Sequence, residues 1–135
     1  MENRKAESFS AQVNAYVSET IERSTAVFKQ SAQDVIADAQ TPTGKGGRMR
    51  VDTGFLRNSH VSGLNGSTSL SGADSYVLTI AGAKLGDSIT GGWTADYAIP
   101  REFGARGQAP DFFARGAAQK WQQFVDANSR NLMKG

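Results

Sequence analysis

The chain has 135 residues and a net charge of +2, the size of one domain that can bury a core without disulfides or metals. It contains no cysteine and one histidine, His60, which excludes a disulfide framework, a cysteine nucleophile and a histidine-rich metal site within one subunit. No apolar run approaches the ~20 residues of a membrane-spanning helix. The first residues also lack the apolar segment of a secretory signal, so we expect a cytoplasmic chain without a membrane partner.

The net charge is too small to indicate nucleic-acid binding by itself, but the charges are unevenly distributed. Residues 1–40 carry a net −2, residues 41–60 a net +3, residues 61–100 a net −2 and residues 101–135 a net +3. Alternating blocks of sign suit subunits that pack side by side, and a solvated surface also produces them.

Residues 8–39 predict one long amphipathic helix. Ser8 is suited to its N-cap, and no Gly or Pro interrupts the chain before Pro42. About 30 helical residues would span on the order of 45 Å, longer than a core of this size covers, so we expect part of the apolar stripe to contact another subunit. The alternative is a helix that breaks near Ser24 and Thr25, which are weak helix formers. The apolar residues that recur at three- and four-residue spacing are Phe9, Val13, Tyr16, Val17, Ile21, Phe28, Val35, Ile36 and Ala39.

Residues 41–50 contain three glycines and three cations and predict a flexible basic loop. A phosphate-binding P-loop requires Gly-Lys followed by Ser or Thr, whereas Gly46 follows Lys45 here, so this interpretation is rejected. Lys45, Arg48 and Arg50 are therefore candidates for contacts with DNA phosphates or with an acidic neighbour, unless the loop is merely solvated.

Residues 51–59 predict a capping turn that leads into a strand. Asp52 or Thr53 can accept hydrogen bonds from the N–H groups just ahead, and Gly54 permits a tight turn. Asp52-Thr53-Gly54 is also the tripeptide of aspartic proteases, but that chemistry needs two carboxylates that share a proton in a buried site. The residues that precede Asp52 are polar and basic rather than an apolar strand, so a protease is rejected.

The middle of the chain predicts a small sheet. Residues 60–64 and 76–81 predict strands, the second being the strongest because it is dense in β-branched and aromatic residues. Residues 65–74 predict a loop, and residues 82–92 predict a second glycine-rich loop with a weak hairpin through residues 84–85 and 88–90.

Residues 93–104 predict a segment in which Tyr97, Ala98 and Phe103 are buried and which Gly104 ends. Within it Glu102 is expected to form a structural ion pair with Arg57 or Arg115.

The end of the chain predicts one helix over residues 110–127, since Pro110 suits a first helical position, and then a frayed tail. Phe113, Ala117, Trp121 and Phe124 would form its apolar face.

His60 with Asp74, Asp96 or Glu102 is an acid–base set that no spacing supports, so we interpret His60 as a surface or packing residue.

Three short motifs follow one another along the chain. Residues 52–59 read Asp-Thr-Gly-x-Leu-Arg-x-Ser, and residues 97–104 read Tyr-Ala-x-x-x-Glu-Phe-Gly. The third motif, Pro-x-Phe-x-Arg-x-Ala, runs from Pro110 into the closing helix when the inserted Asp111 is left out of the count. With the long helix before them, they resemble the minor tail or tail-completion family of long-tailed bacteriophages, the lambdoid head–tail joining proteins. The resemblance extends from the first helix to Ala118. Asp111 is inserted before the usual Phe, and Gly116 replaces a common proline.

The resemblance implies a single α+β domain in which a long N-terminal helix and a C-terminal helix pack on a small twisted antiparallel sheet. It also implies a homo-oligomeric ring, commonly a hexamer, at the head–tail junction of the virion, made from chains that are in the host cytoplasm before assembly. The implied partners are the head connector or stopper, the tail terminator or tail tube proteins, and DNA in the channel.

No catalytic, cofactor-binding or metal-binding residue carries over from the family, so we predict a structural protein that is not an enzyme and has no cofactor. The alternatives are a tail terminator or other tail-end protein and, from another class, a small basic DNA-binding protein. The matching positions divide into a structural turn, Asp52, Thr53, Gly54, Leu56 and Arg57, and a core and contact segment, Tyr97, Ala98, Glu102, Phe103 and Gly104.

Overall fold

The structure, a computed structural model, describes residues 2–49, 54–95, 98–104 and 110–132. Its α+β architecture, with a long N-terminal helix, a C-terminal helix and a three-stranded antiparallel sheet, confirms the predicted fold class. The helices are α1 (Glu2–Ala39), α2 (Phe55–Asn58), α3 (Ser75–Ala81), α4 (Ala98–Phe103), α5 (Phe113–Ala118) and α6 (Trp121–Leu132), and the strands are β1 (His60–Leu64), β2 (Leu70–Ser71) and β3 (Ile89–Trp93).

Helix α1 is continuous over its 38 residues, which corresponds to a length of about 57 Å. Near the expected break, the Thr25 hydroxyl donates a hydrogen bond to the Ile21 carbonyl at 2.7 Å. Thr20 makes the same bond to the carbonyl of Tyr16 at 2.8 Å. The helix runs through Ser24 and Thr25 without a break, so the alternative of a broken helix is wrong.

The sheet has the strand order β2-β1-β3 and is antiparallel throughout. His60 is paired with Trp93 and Ser62 with Gly91, and residues paired in this way have their side chains on the same face of the sheet. Residues 84–85 lie outside the strands, and β3 pairs with β1 instead. The predicted hairpin within residues 82–92 is therefore wrong.

Residues 75–81, most of which were predicted as the strongest strand, form helix α3 instead. A helix places Ser75 and Thr79 one turn apart on the face toward β1. The Thr79 hydroxyl lies 2.6 Å from that of Ser62, and the Ser75 hydroxyl lies 3.3 Å from Nδ1 of His60. Strand propensity is weak and depends on context, and here these contacts to β1 outweigh it.

The C-terminal segment forms two helices rather than one, with a turn at Gln119 and Lys120 between α5 and α6. The Lys120 ammonium bonds Asp38 of α1 at 3.1 Å and anchors this turn. Pro110 precedes the first helical residue instead of occupying it, and α6 extends to Leu132. The predicted single helix over residues 110–127 and the tail that begins at residue 128 are both corrected.

The main apolar cluster joins distant parts of the chain. Met49, Leu56, Ala98 and Phe113 are buried together, with Trp93 packed against them. The ring of Trp93 meets that of Phe113 edge-on at 5.0 Å between centroids. Elsewhere α1 packs against α6, α5 and α3, so its C-terminal half is part of the domain body.

The basic loop has a defined fold around Met49. A 3₁₀ turn spans Thr43–Lys45, and Pro42 is bridged to Met49. The N–H of Met49 donates to the Thr41 carbonyl at 3.2 Å, and the Thr43 N–H donates to the Met49 carbonyl at 3.1 Å. The loop therefore returns on itself and places the Met49 side chain, which is fully buried, in the core.

Candidate assembly surfaces

The N-terminal half of α1 exposes the apolar residues that the sequence pattern placed on one helical stripe. Phe9 is 69% exposed and Tyr16 is 71% exposed, although large apolar side chains are normally covered in a folded domain. We call this surface the α1 stripe, and its members are Phe9, Val13, Tyr16, Val17 and Ile21, all of which are exposed.

The segment that carries the α1 stripe from Phe9 to Val17 is uncharged. Residues 8–18 contain no Asp, Glu, Lys or Arg, whereas a helix that stays in water normally has charged residues on its free face. Depletion of charge is instead typical of the buried centre of protein interfaces. The composition of residues 8–18 is therefore closer to that of an interface than to that of a free helix face.

The C-terminal half of α1 is held by polar contacts to the rest of the domain. Asn128 of α6 donates to the Ser31 hydroxyl at 3.1 Å and to Asp34 at 2.9 Å. The Lys29 ammonium donates to the carbonyl of Ala81 at the end of α3 at 2.9 Å. These contacts join α1 to the body only from about its midpoint onward, and the α1 stripe lies beyond them.

An apolar groove lies where α1 passes the edge strand β3. Its volume is about 350 Å³, and a neighbouring cavity of about 180 Å³ shares Val35, Ile36 and Ile89 with it and continues to Trp93. Asp87 and Ser88 form its polar rim. We call this surface the α1–β3 groove, and its apolar lining is Phe28, Ala32, Val35, Ile36, Ile89 and Trp121.

Asp87 on this rim closes a short loop. Its carboxylate accepts a hydrogen bond from the Lys84 N–H at 2.8 Å and one from the Asn65 amide at 3.2 Å. These two bonds lower the pKa of Asp87, the backbone bond having the larger effect. The rim is therefore negatively charged and held in place.

His60 and Gln40 form a buried polar junction under the sheet. The Gln40 side chain accepts a hydrogen bond from the Trp93 indole N–H at 3.1 Å and donates one to the Ala73 carbonyl at 2.8 Å. His60 is buried against the rings of Tyr76 and Trp93, and this burial lowers its pKa. A buried, neutral histidine between two rings has a packing role, in agreement with its interpretation from the sequence.

Glu102 links α4 to the start of α5. Its carboxylate accepts hydrogen bonds from the N–H groups of Ala114 at 2.9 Å and Arg115 at 2.8 Å. Nε of Arg115 lies 3.8 Å from the same carboxylate. Of the two ion-pair partners expected for Glu102, the structure thus gives Arg115.

A basic cleft of about 280 Å³ lies beside this pair, lined by Arg48, Phe112, Arg115, Gly116 and Gln119. The guanidinium of Arg115 lies 4.9 Å from the Phe112 ring centroid. Arg48 passes so close to Gly116 that an added Cβ there would lie 2.8 Å from Cδ of Arg48. Two arginines therefore face one cleft, and only Arg48 of this pair was singled out from the sequence as a candidate contact.

The remaining predicted contact residues are placed as follows. Lys45 is exposed at the end of the 3₁₀ turn. Arg50, Asp52, Thr53 and Tyr97, which the sequence assigned to the basic loop, the structural turn and the contact segment, lie outside the described residues.

Of the described members of the structural turn, Gly54 directly precedes α2, and Leu56 and Arg57 lie within it. Gly54 has φ +79°, which favours glycine, Leu56 is buried in the core, and Arg57 is exposed.

The contact segment divides between core and surface. Ala98 and Glu102 are buried one helical turn apart on α4, and Gly104 has φ +83° directly after this helix. Phe103 is 54% exposed, so its expected burial is wrong. Its ring lies on the surface under the Arg115 guanidinium, 4.8 Å from centroid to Cζ.

Sequence reasoning missed Gln40, Phe112 and the α1–β3 groove. Phe112 has φ +51°, a backbone conformation that side chains other than glycine rarely adopt, directly before α5. The insertion of Asp111 into the third motif was the available signal for unusual geometry there. Gln40 and the groove have no local signal, because their partners lie 33 or more residues away along the chain.

Comparison of the chain with protein-family models, with curated proteins and with solved structures gives no match. Among the residues that the structure describes, no group of three or more His, Asp or Glu side chains is placed to hold a metal ion. Within the same residues, no helix combines the length and the apolar character that crossing a membrane requires.

Proposed function

We propose that this protein is a structural virion component of a tailed bacteriophage that forms a ring at the head–tail interface and joins the DNA-filled head to the tail. The observation that carries the proposal is the α1 stripe, an uncharged apolar surface on the part of α1 that projects beyond the domain body. Exposed apolar surfaces mark sites of interaction with other molecules, and an assembly subunit needs such a site. The resemblance of the ordered motifs at residues 52–59 and 97–104 and from Pro110 supports a head–tail joining assembly in particular.

The parts of the molecule fit this role. The body holds the sheet and the C-terminal half of α1 as one packed unit, and α1 extends from it as an arm toward a neighbour. Acidic and basic blocks alternate along the chain, which favours lateral packing of like subunits. The basic cleft with Arg48 and Arg115 offers a surface for an acidic neighbour or for DNA in the channel.

The experiment that tests the function is electron microscopy of particles made when the gene is silenced in the phage or prophage that carries it. The proposal expects DNA-filled heads beside separate, finished tails. Tails of uncontrolled length would identify a tail terminator instead. Intact infectious virions would refute a role in the particle.

A second candidate function is DNA binding, which the two arginines of the basic cleft favour. Phosphate contacts release counterions, so the affinity of the isolated chain for duplex DNA would fall steeply with salt. A titration across salt concentrations, repeated with Arg48→Ala and Arg115→Ala, tests this candidate. A shallow salt dependence that neither substitution alters would exclude it.

A further inference from the structure

We propose that the α1 stripe of one subunit docks in the α1–β3 groove of a second copy of this chain. The inference rests on the proposed function, in that assembly requires contacts between copies, and it names the two surfaces that make the contact. The sequence analysis did not predict that these two surfaces contact each other.

The first argument is the size of the uncovered stripe. At the roughly 150–250 Å² that an aromatic side chain offers, Phe9 and Tyr16, exposed by 69% and 71%, leave on the order of 200–350 Å² uncovered. Val13, Val17 and Ile21, which are about half exposed, add to it. The stripe thus supplies roughly half or more of the ~800 Å² that one partner buries in a standard interface.

The second argument is the matching shape and chemistry of the groove. Phe9, Val13, Val17 and Ile21 form a ridge at four-residue spacing, and Phe28, Ala32 and Ile36 in the groove have the same spacing. Ala32 is the small residue between two large ones, which leaves a depression for a side chain from a facing helix. Ridges of this spacing pack into each other's grooves at interaxial distances of about 8–10 Å.

The third argument is that a subunit cannot fill its own groove. The stripe and the groove are centred about 17 residues apart on the same unbroken helix, which corresponds to a separation of about 25 Å. The stripe must therefore come from another molecule. A second copy carries a surface of the required chemistry, and one contact covers both apolar surfaces.

We place the contact in a heterologous arrangement rather than in a reciprocal pair, in which the stripe of each copy would fill the groove of the other and close a dimer. Each docking event leaves a free groove on one copy and a free stripe on the other, so addition continues until the ring closes. This mode of growth is what a closed ring of identical subunits requires.

Disulfide trapping tests the contact directly, since the chain contains no cysteine of its own. Tyr16→Cys places a thiol on the stripe, and Ser88→Cys places one on the exposed groove rim. Under mild oxidation, we expect a mixed disulfide when the two purified variants are combined, and a ladder of sizes beyond the dimer from the double variant.

Three outcomes would overturn the proposal. The first is that no mixed disulfide forms. The second is efficient dimerisation of Tyr16→Cys alone, which would mean that the stripes of two copies pack against each other. The third is a double variant whose disulfide-linked products stop at the dimer.

A matched pair of substitutions separates docking from folding. Val13→Asp, added to the Tyr16→Cys chain, puts a charge on the stripe and should lower the yield of mixed disulfide by roughly tenfold or more, because a buried unpaired charge is strongly disfavoured. Ala15→Asp lies about 200° around the helix from Val13 and should leave the yield unchanged. Circular dichroism should show both variants folded, and equal yields from the two would contradict the proposal.

This test is independent of the proposed function because it uses only purified chains. Trapping that succeeds while virions assemble without the gene would leave the contact standing and refute the role in the particle. Separated heads and tails, together with no trapped disulfide, would support the role in the particle and refute the contact.

Discussion

At the scale of single residues, Glu102 is a polar side chain whose truncation should cost measurable stability. It is buried, and its carboxylate accepts the N–H groups of Ala114 and Arg115. Removing the acceptor leaves these two donors without their partner, so we expect Glu102→Ala to lower the free energy of unfolding by about 1–3 kcal/mol.

Urea denaturation measures this loss, with Glu102→Gln as the control. The amide keeps one acceptor oxygen, and we expect it to lose less than the alanine variant. A Glu102→Ala protein as stable as the unsubstituted chain would show that the carboxylate does not hold α5 in place.

His60 gives stability a pH dependence of defined sign. Burial lowers its pKa below the usual 6.5 in the folded state, so the unfolded chain takes up the proton more readily. The contribution of His60 is complete above pH 6.5, is lost as the pH falls through 6.5 toward the folded-state pKa, and changes no further below that value.

Since His60 is the only histidine, its removal should flatten the profile. We expect the free energy of unfolding of His60→Gln, measured by urea denaturation between about pH 7 and pH 5, to vary less with pH than that of the unsubstituted protein. Parallel profiles for the two proteins would contradict the assignment of a buried, neutral imidazole.

At the scale of elements, the basic loop offers a test of whether it is a folded unit. A Cβ at Gly47 would lie 1.9 Å from the carbonyl oxygen of Thr41, whereas one at Gly44 would meet nothing within 4 Å. Because the added Cβ at Gly47 would clash with backbone atoms, the clash can be relieved only by moving the loop that carries Met49.

We therefore expect Gly47→Ala to lower the free energy of unfolding by about 1–3 kcal/mol and Gly44→Ala to change it by no more than about 0.5 kcal/mol. Thermal or urea denaturation of the pair measures the difference. Equal effects at the two glycines would mean that residues 41–49 do not hold the fold described above.

The elements also show where sequence reasoning succeeds. Helix α1 and strand β1 were predicted because long three- and four-residue periodicity and short β-rich runs are local signals. Glu102 was predicted to pair with Arg57 or Arg115, and the structure gives Arg115.

The failures have a physical cause in common. Helix α3 was predicted as a strand because Val77, Thr79 and Ile80 favour strands, but Ser75 and Thr79 bond β1 only if the segment is helical. The turn between α5 and α6 depends on the contact of Lys120 with Asp38 of α1. Contacts between distant residues decide these elements, and no local pattern contains them.

At the scale of the whole molecule, the domain has a packed body and an apolar arm. The core at Met49, Leu56 and Phe113 and the polar junction at Gln40 stabilise the body. The α1 stripe lies outside both. Its five exposed apolar side chains lie on one helical stripe, and burial in an assembly would account for them.

Charge on the basic loop is a separate determinant of assembly in this account. Reversing Lys45, Arg48 and Arg50 to Glu should preserve the fold, since Lys45 and Arg48 are exposed, and should reduce the yield of infectious particles. Lys84→Glu, on another exposed loop, is the control. Circular dichroism and plaque titre are the two measurements, and a normal titre from the triple variant would contradict a contact through this loop.

The central claim is that this chain joins heads to tails through a subunit contact made by α1. The most direct measurement is complementation, in which purified protein is added to an extract of heads and tails that lacks it and infectious particles are counted. The account predicts that the unsubstituted protein and Ala15→Asp restore the titre and that Val13→Asp does not. Failure of the unsubstituted protein, in an extract shown to contain filled heads and finished tails, would contradict the joining role. Equal restoration by Val13→Asp would contradict the contact.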